Sequence, residues 1–433
     1  MSTVPAPIMA KVSRRLLPFL FLLFLVNFLD RVNVGFAALQ MNQQLGFSPQ
    51  VFGFGAGIFF LGYTVLEVPS NIVLRRVGAR LWLSRISLSW GLVAMATALV
   101  QGPLSFYVLR FLLGVAEAGF VPGLLYYLTL WYPPEQRAQA IARVWLATAA
   151  AIVLGSPLSA ALMTLDGVLG LPGWKWIFLI EGAPAVLLGI LGFRVLTNSP
   201  ETAAWLEPEE RTALAASLTA GQGQAASHKV SGLVAGLRSP MVWSLSLVFF
   251  CMGIGFFGVT IWLPQIVKQL SGLSNIEVSL VTTIPFAFAA AGMVLNARHS
   301  DRTGERRWHL VIPLLVGAIG LGGSALVPEP LSAFALLCLA AAGLWSAIGV
   351  FWALPANLLT GAAAAAGLAL INAIGGISGF VAPYGIGLLR GITPSFSAAL
   401  LCMSASLMAA AVLAALLGRQ QSALLSNSEQ KVA

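Results

Sequence analysis

The sequence predicts an all-α membrane protein in which twelve transmembrane helices form two pseudo-symmetric six-helix bundles. Of the 433 residues, 58% are hydrophobic and only 9% are charged, whereas about 25% of the residues in an ordinary soluble domain are charged. The apolar residues form twelve runs, each long enough to cross a bilayer, which takes about 20 residues. Two sequence features also recur at an offset of 226 residues, which indicates that the second half of the chain repeats the first.

The predicted spans are separated by short polar connections and by one long break. They lie approximately at 16–39, 51–74, 81–101, 104–131, 138–163, 174–196, 241–267, 276–297, 309–327, 330–352, 366–389 and 394–418. The break holds an acidic cluster and a polar stretch, so we interpret it as a cytoplasmic linker with a short amphipathic helix near 207–218. The predicted domains are an N-terminal bundle at 1–196, the linker at 197–240, and a C-terminal bundle with a short cytoplasmic tail at 241–433.

Lysine and arginine predict the orientation of the spans. When the connections are assigned alternately to the two sides of the membrane, nineteen of the 24 basic residues fall on the side of the N-terminus and three on the other side. Cytoplasmic connections carry an excess of these residues. We therefore expect both termini in the cytoplasm of a multi-pass protein of the inner (cytoplasmic) membrane. The same bias explains the net charge of +9 without a nucleic-acid partner.

The inferred repeat rests on two matches at one offset. Arg76-Val-Gly78-Ala-Arg80 follows the second span, and Arg302-Thr-Gly304-Glu-Arg306 follows the eighth. Pro157 in the fifth span corresponds in the same way to Pro383 in the eleventh. Internal repeats of this kind are common in secondary transporters. The alternative is that basic loops and helix prolines, which are frequent in membrane proteins, recur here by chance.

Two pairs of ionisable side chains stand out within the predicted spans. Asp30 and Arg31 are neighbours in the first span, and Arg110 and Glu117 lie in the fourth. The latter two share one helix face, about 10 Å apart along the axis. A charged group costs roughly 2.5–3.5 kcal/mol at mid-membrane on insertion scales, so such residues mark a polar pathway inside a helix bundle. We predict that these four residues bind an anion and move a proton.

The chemistry of each residue type suits that role. An arginine guanidinium stays charged and binds a carboxylate through two parallel hydrogen bonds, which favours Arg31 and Arg110 as anion ligands. Burial favours the protonated carboxyl group and a neighbouring arginine favours the ionised one, so an anion bound to Arg110 would promote protonation of Glu117. The alternative is that each arginine only neutralises an adjacent acid, Arg31 with Asp30 and Arg110 with Glu117.

The loops after the second and eighth spans resemble the signature of the major facilitator superfamily, Gly-x-x-x-Asp-Arg-x-Gly-x-Arg. The copy at 297–306 keeps every signature residue except the first glycine. The copy at 71–80 has Asn71 for the glycine and Arg75 for the aspartate, so it lacks the residue that helps latch the outward-facing state in the family. The resemblance implies gating roles for Arg76, Gly78, Arg80, Asp301, Arg302, Gly304 and Arg306.

Four further segments resemble the anion:cation symporter family within that superfamily. They are Asn27–Asn33, Arg110–Ala118, Trp131–Ala138 and Trp174–Pro184. The similarity is to the branch that includes tartrate, aromatic-acid and sugar-acid permeases. It implies secondary active, proton-coupled symport of an organic carboxylate, such as a sugar acid, a tartrate-like dicarboxylate or an aromatic acid.

The resemblance also implies roles for single residues. In relatives that import sugar acids, an acid of the first span and an acid of the fourth carry protons, and nearby arginines contact the substrate. In this chain the two acids correspond to Asp30 and Glu117, and the two arginines correspond to Arg31 and Arg110.

Two polar residues are added to the substrate site by the same resemblance, Tyr63 in the second span and Asn372 in the eleventh. Asn372 could equally bridge two helices. Glu67 lies one turn after Tyr63, near the cytoplasmic end of its helix and near Arg75 and Arg76. We therefore predict a gating or interfacial ion-pair role for Glu67.

We expect a monomeric transporter with no cofactor and no metal, and not an enzyme. Its partners would be a small carboxylate, protons and the lipid bilayer. His228, His299 and His309 lack metal-ligand spacing, and no Walker-type phosphate loop is present. One alternative is a proton-antiporting exporter of drug-like compounds, although residues 151–160 do not match the fifth-span signature of such antiporters. Another is a membrane-embedded sensor or enzyme, which would need a sizeable soluble module or a nucleophile with its base, and the sequence has neither.

Overall fold

A computed structural model of the protein describes the backbone of residues 5–222, 239–354 and 362–430, and the side chains of all of these except 219–222, 362–366 and 418–430. Within these ranges the regular secondary structure is helical and no strand occurs, so the predicted all-α class is confirmed. The helices of the first half of the chain, including one inside the predicted linker, are α1 (Ala6–Leu45), α2 (Pro49–Val77), α3 (Ala79–Ala96), α4 (Pro103–Glu117), α5 (Phe120–Thr129), α6 (Pro134–Met163), α7 (Gly173–Val195) and α8 (Pro208–Gln222).

The second half continues the same pattern. Its helices are α9 (Pro240–Ser271), α10 (Asn275–Val281), α11 (Thr283–Thr303), α12 (Trp308–Leu326), α13 (Pro330–Phe351), α14 (Ala362–Ile392) and α15 (Ser397–Gln430). The predicted span at 104–131 is divided at Gly119, where φ is +83°, and the one at 276–297 is divided between α10 and α11.

A helix covers each of the twelve predicted spans. In the described ranges, eleven helical segments are long and apolar enough to cross a membrane. The predicted span that is not among them is α3, which carries Arg80 and Arg85 and is therefore less apolar. The crossing by α3, and with it the full set of twelve, stays a prediction.

The two halves of the chain show the same pattern of helix packing. In the first half α3 packs along α7, and the equivalent helices α12 and α15 pack along each other in the second half. α6 contacts α1 where Gly155 lies against Leu29 and Val32, and the equivalent pair is α14 with α9. α4 contacts α2 where Gly114 lies against Phe59, and the equivalent pair is α13 with α11. Three matched pairings support the repeat inferred from the 226-residue offset.

The chain divides into two compact units. The first comprises Met1–Ala37 with Ile58–Ser227, and the second comprises Ala38–Gly57 with His228–Ala433. The end of α1 and the start of α2 thus belong to the second unit, although they lie early in the sequence. The domain boundaries predicted along the chain stay a prediction.

α8 confirms the short helix expected inside the predicted linker. Leu214 and Leu218 are buried one turn apart, so the helix has an apolar face. One turn before Leu214, the Glu210 Oε2 atom lies 2.8 Å from Lys11 Nζ, and this hydrogen bond holds the pKa of Glu210 below its usual value. Residues 223–238 of the predicted linker lie outside the described residues.

The repeated loop motif forms the same turn in both halves. Gly78 ends α2 with a φ of +92°, and Gly304 ends α11 with a φ of +70°. The amide N–H of each donates to the carbonyl four residues earlier, Gly78 to Leu74 at 2.9 Å and Gly304 to Ser300 at 3.0 Å. Only glycine adopts such a φ without steric cost. The backbone of the turn therefore explains the glycine of the motif.

Gly114 sets the close approach of α2 to α4. A Cβ atom at this position would lie 2.0 Å from the carbonyl oxygen of Phe59, and a backbone oxygen cannot move aside as a flexible side chain can. Arg110 and Glu117 lie one turn on either side of Gly114 in the same helix. The glycine therefore fixes how near these two charged residues come to α2.

We expect Gly114→Ala to lower the midpoint of thermal unfolding of the purified protein in detergent, because overpacking a tight contact costs about 1–3 kcal/mol. Gly385→Ala is the matched control: it adds the same methyl group within α14, where nothing lies within 4 Å of the new Cβ atom. Equal midpoints for the two variants would contradict the tight contact between α2 and α4.

Candidate functional site

A buried ion pair joins α1 to α4. The Arg31 Nε atom donates to Glu117 Oε1 at 2.9 Å, and Arg31 Nη2 contacts the same oxygen. Glu117 is fully buried, and its Oε2 atom has no hydrogen-bond partner among the described residues. Glu117 is also the last residue of α4, where the negative end of the helix dipole favours a nearby cation.

The guanidinium of Arg31 is also bounded by aromatic rings of α2. Its central carbon lies 5.1 Å from the centre of the Tyr63 ring and 5.8 Å from that of the Phe59 ring. At these distances the ring faces attract a cation. Tyr63 therefore lies beside Arg31, and its role as a substrate contact stays a prediction. Glu67, one turn further along α2, lies within electrostatic range of Tyr63, and its gating role also stays a prediction.

Arg110 is a second buried cation in the same cluster. Its residue surface is 2% exposed, and the guanidinium carbon lies 5.0 Å from the centre of the Phe59 ring. Within the described chain, Arg110 Nε and Nη1 have no hydrogen-bond partner. Asp30, Arg31 and Glu117 are all within electrostatic range of Arg110. Unpaired N–H groups on a buried guanidinium are costly unless an anion satisfies them.

Asp30 faces away from Arg31 and toward α3. Its Oδ2 atom accepts a hydrogen bond of 2.6 Å from Trp90 Nε1, and its Oδ1 atom accepts one of 3.1 Å from Asn33 Nδ2. Both Asp30 and Trp90 are buried. The two neighbours on α1 therefore contact different helices, as the 100° step between consecutive helical residues requires.

The structure does not show the alternative pairing, in which each arginine neutralises a nearby acid of its own helix. Arg31 pairs with Glu117, which is 86 residues away in sequence, and not with its neighbour Asp30. Arg110, whose partner in that alternative was Glu117, has two unpaired nitrogens within the described chain. The reason is geometric: adjacent residues point about 100° apart on a helix, so Arg31 meets α4 while Asp30 meets α3.

A third buried acid, Glu181 of α7, was assigned no role from the sequence. Its Oε1 atom accepts a hydrogen bond of 3.0 Å from Ser159 Oγ of α6, and the residue is 2% exposed. Asp30 and Asn33 lie within interaction range of its carboxyl group. The signal for Glu181 was present, since it is an acid inside an apolar run like Asp30. No sequence pattern distinguishes Trp90, Asn33 or Ser159.

The remaining predicted substrate residue lies in the second unit. Asn372 is half-buried in α14, between the buried Ile371 and the glycines at 375 and 379. It makes interactions within the described structure. Its role as a substrate contact stays a prediction.

The second loop motif forms a local network after α11. Arg306 Nη1 lies 2.6 Å from Asp301 Oδ1 and donates to Ser300 Oγ at 2.9 Å. Burial by itself would raise the pKa of nearby Glu305, but hydrogen bonds from the Trp308 and His309 amides lower the pKa overall. Arg302 is exposed.

The first loop motif is built differently because it has Arg75 in place of the aspartate. The Arg75 guanidinium lies 5.4 Å from the centre of the Tyr126 ring. Arg80 donates from its backbone N–H to Asn198 Oδ1 at 2.9 Å and from Nε to the Phe193 carbonyl at 2.7 Å. Arg76 is exposed. The ion pair that Asp301 and Arg306 form in the second copy thus has no equivalent at these positions of the first copy.

The first unit therefore holds two fixed cations and three acids in a protein interior. Of the two cations, Arg31 is paired with Glu117, while Arg110 Nε and Nη1 have no hydrogen-bond partner within the described chain. Such an arrangement can bind an anion, and it can take up a proton wherever a carboxyl group loses its cationic partner.

Sequence comparisons show to which family the chain is related. The family model of the Major Facilitator Superfamily matches residues 20–383. A protein of Agrobacterium vitis named "Putative tartrate transporter" is 48% identical to this chain. The alignment covers 96% of this chain and 92% of the relative. A protein of Acinetobacter baumannii named "Quinolone resistance transporter" is 40% identical and aligns over 91% of each chain.

A structural comparison agrees on the fold. The crystal structure of a bacterial homologue of the human lysosomal transporter Spinster, inward-facing and unoccupied, matches with a TM-score of 0.73. The two chains are 18% identical, and the match covers 95% of this chain and 96% of the other. Proteins of this fold and family are multi-pass membrane transporters and not enzymes. The chain therefore belongs to the Major Facilitator Superfamily.

Proposed function

We propose that this protein is a secondary active transporter of the inner membrane that takes up an organic carboxylate together with protons. Both termini would lie in the cytoplasm, as the distribution of lysine and arginine indicates. The substrate class would be small carboxylates, such as sugar acids, tartrate-like dicarboxylates or aromatic acids.

The observation that carries the proposal is the state of Arg110. It is a buried guanidinium whose Nε and Nη1 atoms have no hydrogen-bond partner among the described residues, and it lies within range of a second arginine. Each of these N–H groups can donate a charge-assisted hydrogen bond to a carboxylate oxygen. An anionic substrate would supply the partner that this cation lacks.

Proton coupling would follow from the pair that Arg31 forms with Glu117. A substrate carboxylate that attracts the Arg31 guanidinium weakens the stabilisation of the Glu117 carboxylate. Glu117 is fully buried, so the ionised form without its cation is unfavourable and the protonated form is preferred. Binding and protonation then promote each other, which is the thermodynamic requirement of symport.

The relatives support the substrate class without deciding it. The 48% identical protein is named for the transport of tartrate, which is a dicarboxylate. The 40% identical protein named for quinolone resistance favours a second candidate, export of drug-like compounds. Direction of transport separates the two: uptake into right-side-out vesicles driven by an inward proton gradient supports symport, and quinolone accumulation in inside-out vesicles driven by the opposite gradient supports export.

We expect Arg110→Lys to weaken carboxylate binding about tenfold, because lysine keeps the charge but loses the Nε donor and the fixed directions of the guanidinium N–H groups. Binding is measured as the rise in unfolding temperature of the purified protein with a panel of sugar acids, tartrate and aromatic acids. Arg85→Lys is the matched control, since Arg85 also stacks on an aromatic ring, that of Trp82 at 3.9 Å, but lies outside the cluster. If Arg110→Lys leaves the affinity for every stabilising acid unchanged, Arg110 is not a substrate ligand.

We expect Glu117→Gln to abolish uphill uptake driven by a proton gradient while substrate exchange across the membrane continues. Glutamine keeps the oxygen that accepts from Arg31 but cannot take up a proton. Both activities are measured with one labelled acid in proteoliposomes. Glu201→Gln, which changes an exposed acid outside the cluster, serves as the control. Full uphill transport by Glu117→Gln would refute the coupling role.

A further inference from the structure

Glu181 and Asp30 form a pair of buried acids with different hydrogen-bond partners. Asp30 accepts on both carboxyl oxygens, from Trp90 and from Asn33, which is the pattern of an ionised carboxylate. Glu181 accepts on one oxygen only, from Ser159. Its other oxygen, Oε2, is buried without a hydrogen-bond partner in the described part of the chain.

No cation offsets a charge on Glu181 in the described structure. Among the charged side chains, Asp30 is the one that interacts with Glu181. Two carboxylates repel each other, so ionisation of one disfavours ionisation of the other. Of the arginines on the adjacent helix α3, Arg80 bonds to Asn198 and Phe193, and Arg85 bonds to Ser89. Those interactions leave the Glu181 carboxyl group without a counterion.

Other charged residues lie further along the helices packed on Glu181. On α7 itself, Lys175 and Arg194 are six and thirteen residues away, about 9 and 20 Å along the axis. On α6, the charged residues are Glu135, Arg137 and Arg143, and the nearest of them is sixteen residues from Ser159, about 24 Å along the axis. Asp30 is in turn faced by Arg110 and Glu117.

Asn33 lies between the two acids and has the groups to connect them. Its Nδ2 atom donates to Asp30 Oδ1, while its Oδ1 atom is buried without a hydrogen-bond partner among the described residues. The Asn33 side chain also lies within interaction range of the Glu181 carboxyl group. The unpaired acceptor on Asn33 and the unpaired Glu181 Oε2 are therefore complementary if Oε2 carries a proton.

We propose that Glu181 is a further proton-holding residue, and that Asp30 and Glu181 share one proton whose position is coupled to the orientation of the Asn33 amide. In the structure Asn33 presents its NH₂ group to Asp30, and for this arrangement the proposal assigns the proton to Glu181. A half-turn of the amide reverses both contacts, so that protonated Asp30 donates to Asn33 Oδ1 and ionised Glu181 accepts from Nδ2. The amide itself passes no proton; it makes one arrangement exclude the other.

The inference deepens the proposed function and rests on it for its role in transport. Asp30 would take up a coupled proton in addition to the one on Glu117, and Glu181 would hold a proton inside the protein while Asp30 is ionised. A merely structural reading has Glu181 as a permanently protonated link between α6 and α7 through Ser159. The two readings differ in whether Glu181 influences the protonation of Asp30.

The test compares two variants with opposite expected effects. Glu181→Gln presents a permanent NH₂ group to Asn33 Oδ1, which keeps the Asn33 donor on Asp30 and favours the carboxylate. The pH at which proton-driven uptake by this variant is half-maximal should fall by about one unit, which is a tenfold change in proton concentration. Asn33→Ala removes that donor, so its half-maximal uptake should move to higher pH. Glu209→Gln, which changes an exposed acid, is the control and should leave the curve unchanged.

A second measurement does not depend on transport. Infrared difference spectra of the purified protein between acidic and alkaline buffer report the C=O stretch of protonated carboxyl groups. We expect Glu181→Gln to remove one such band and to shift a second, which Asp30→Asn then removes. An unchanged spectrum after Glu181→Gln, or pH curves that do not move in opposite directions, would overturn the inference. Loss of carboxylate uptake in the wild-type protein with both bands intact would instead count against the proposed function alone.

Discussion

The structure of the first unit depends on the requirement that no charge be left alone in a protein interior surrounded by lipid. Arg31 and Glu117 meet that requirement directly, since the guanidinium binds the carboxylate at the end of α4. A buried pair of this kind is weak evidence for stability, because desolvation offsets much of the attraction, but each partner makes the other necessary. The position of α1 against α4 is therefore tied to the charge state of both residues.

Around this pair the polar groups form two zones with different chemistry. Arginines and aromatic rings of α1, α2 and α4 surround one zone, in which Arg110 keeps N–H groups that are unpaired within the described chain. The other zone runs from Trp90 through Asp30 and Asn33 toward Glu181 and contains acids and neutral donors. The first zone suits an anion, and the second suits protons. Arg31 belongs to the first zone and Asp30 to the second, so α1 contributes to both zones.

Much of the fold could be predicted from the sequence, because apolar runs, basic loops and the repeat all report on the membrane directly. The intramembrane charges also pointed to the site, since their cost makes them rare elsewhere. The pairing could not be predicted: whether Arg31 meets Asp30 or Glu117 depends on helix rotation, which periodicity alone does not fix. Glu181 was missed although it obeys the same rule as Asp30. The interruption of the fourth span at Gly119 was not predicted, because a single glycine in an apolar run does not indicate a positive φ.

The separation of 86 residues between Arg31 and Glu117 has a consequence for how the protein is made. Ribosomes deliver the first helix long before the fourth, so Arg31 enters the bilayer while its counterion has yet to be synthesised. Asp30 beside it limits the cost during that interval, because an adjacent acid lowers the net charge of the segment. Until α4 arrives to neutralise Arg31, this cost disfavours the release of the first helix into lipid.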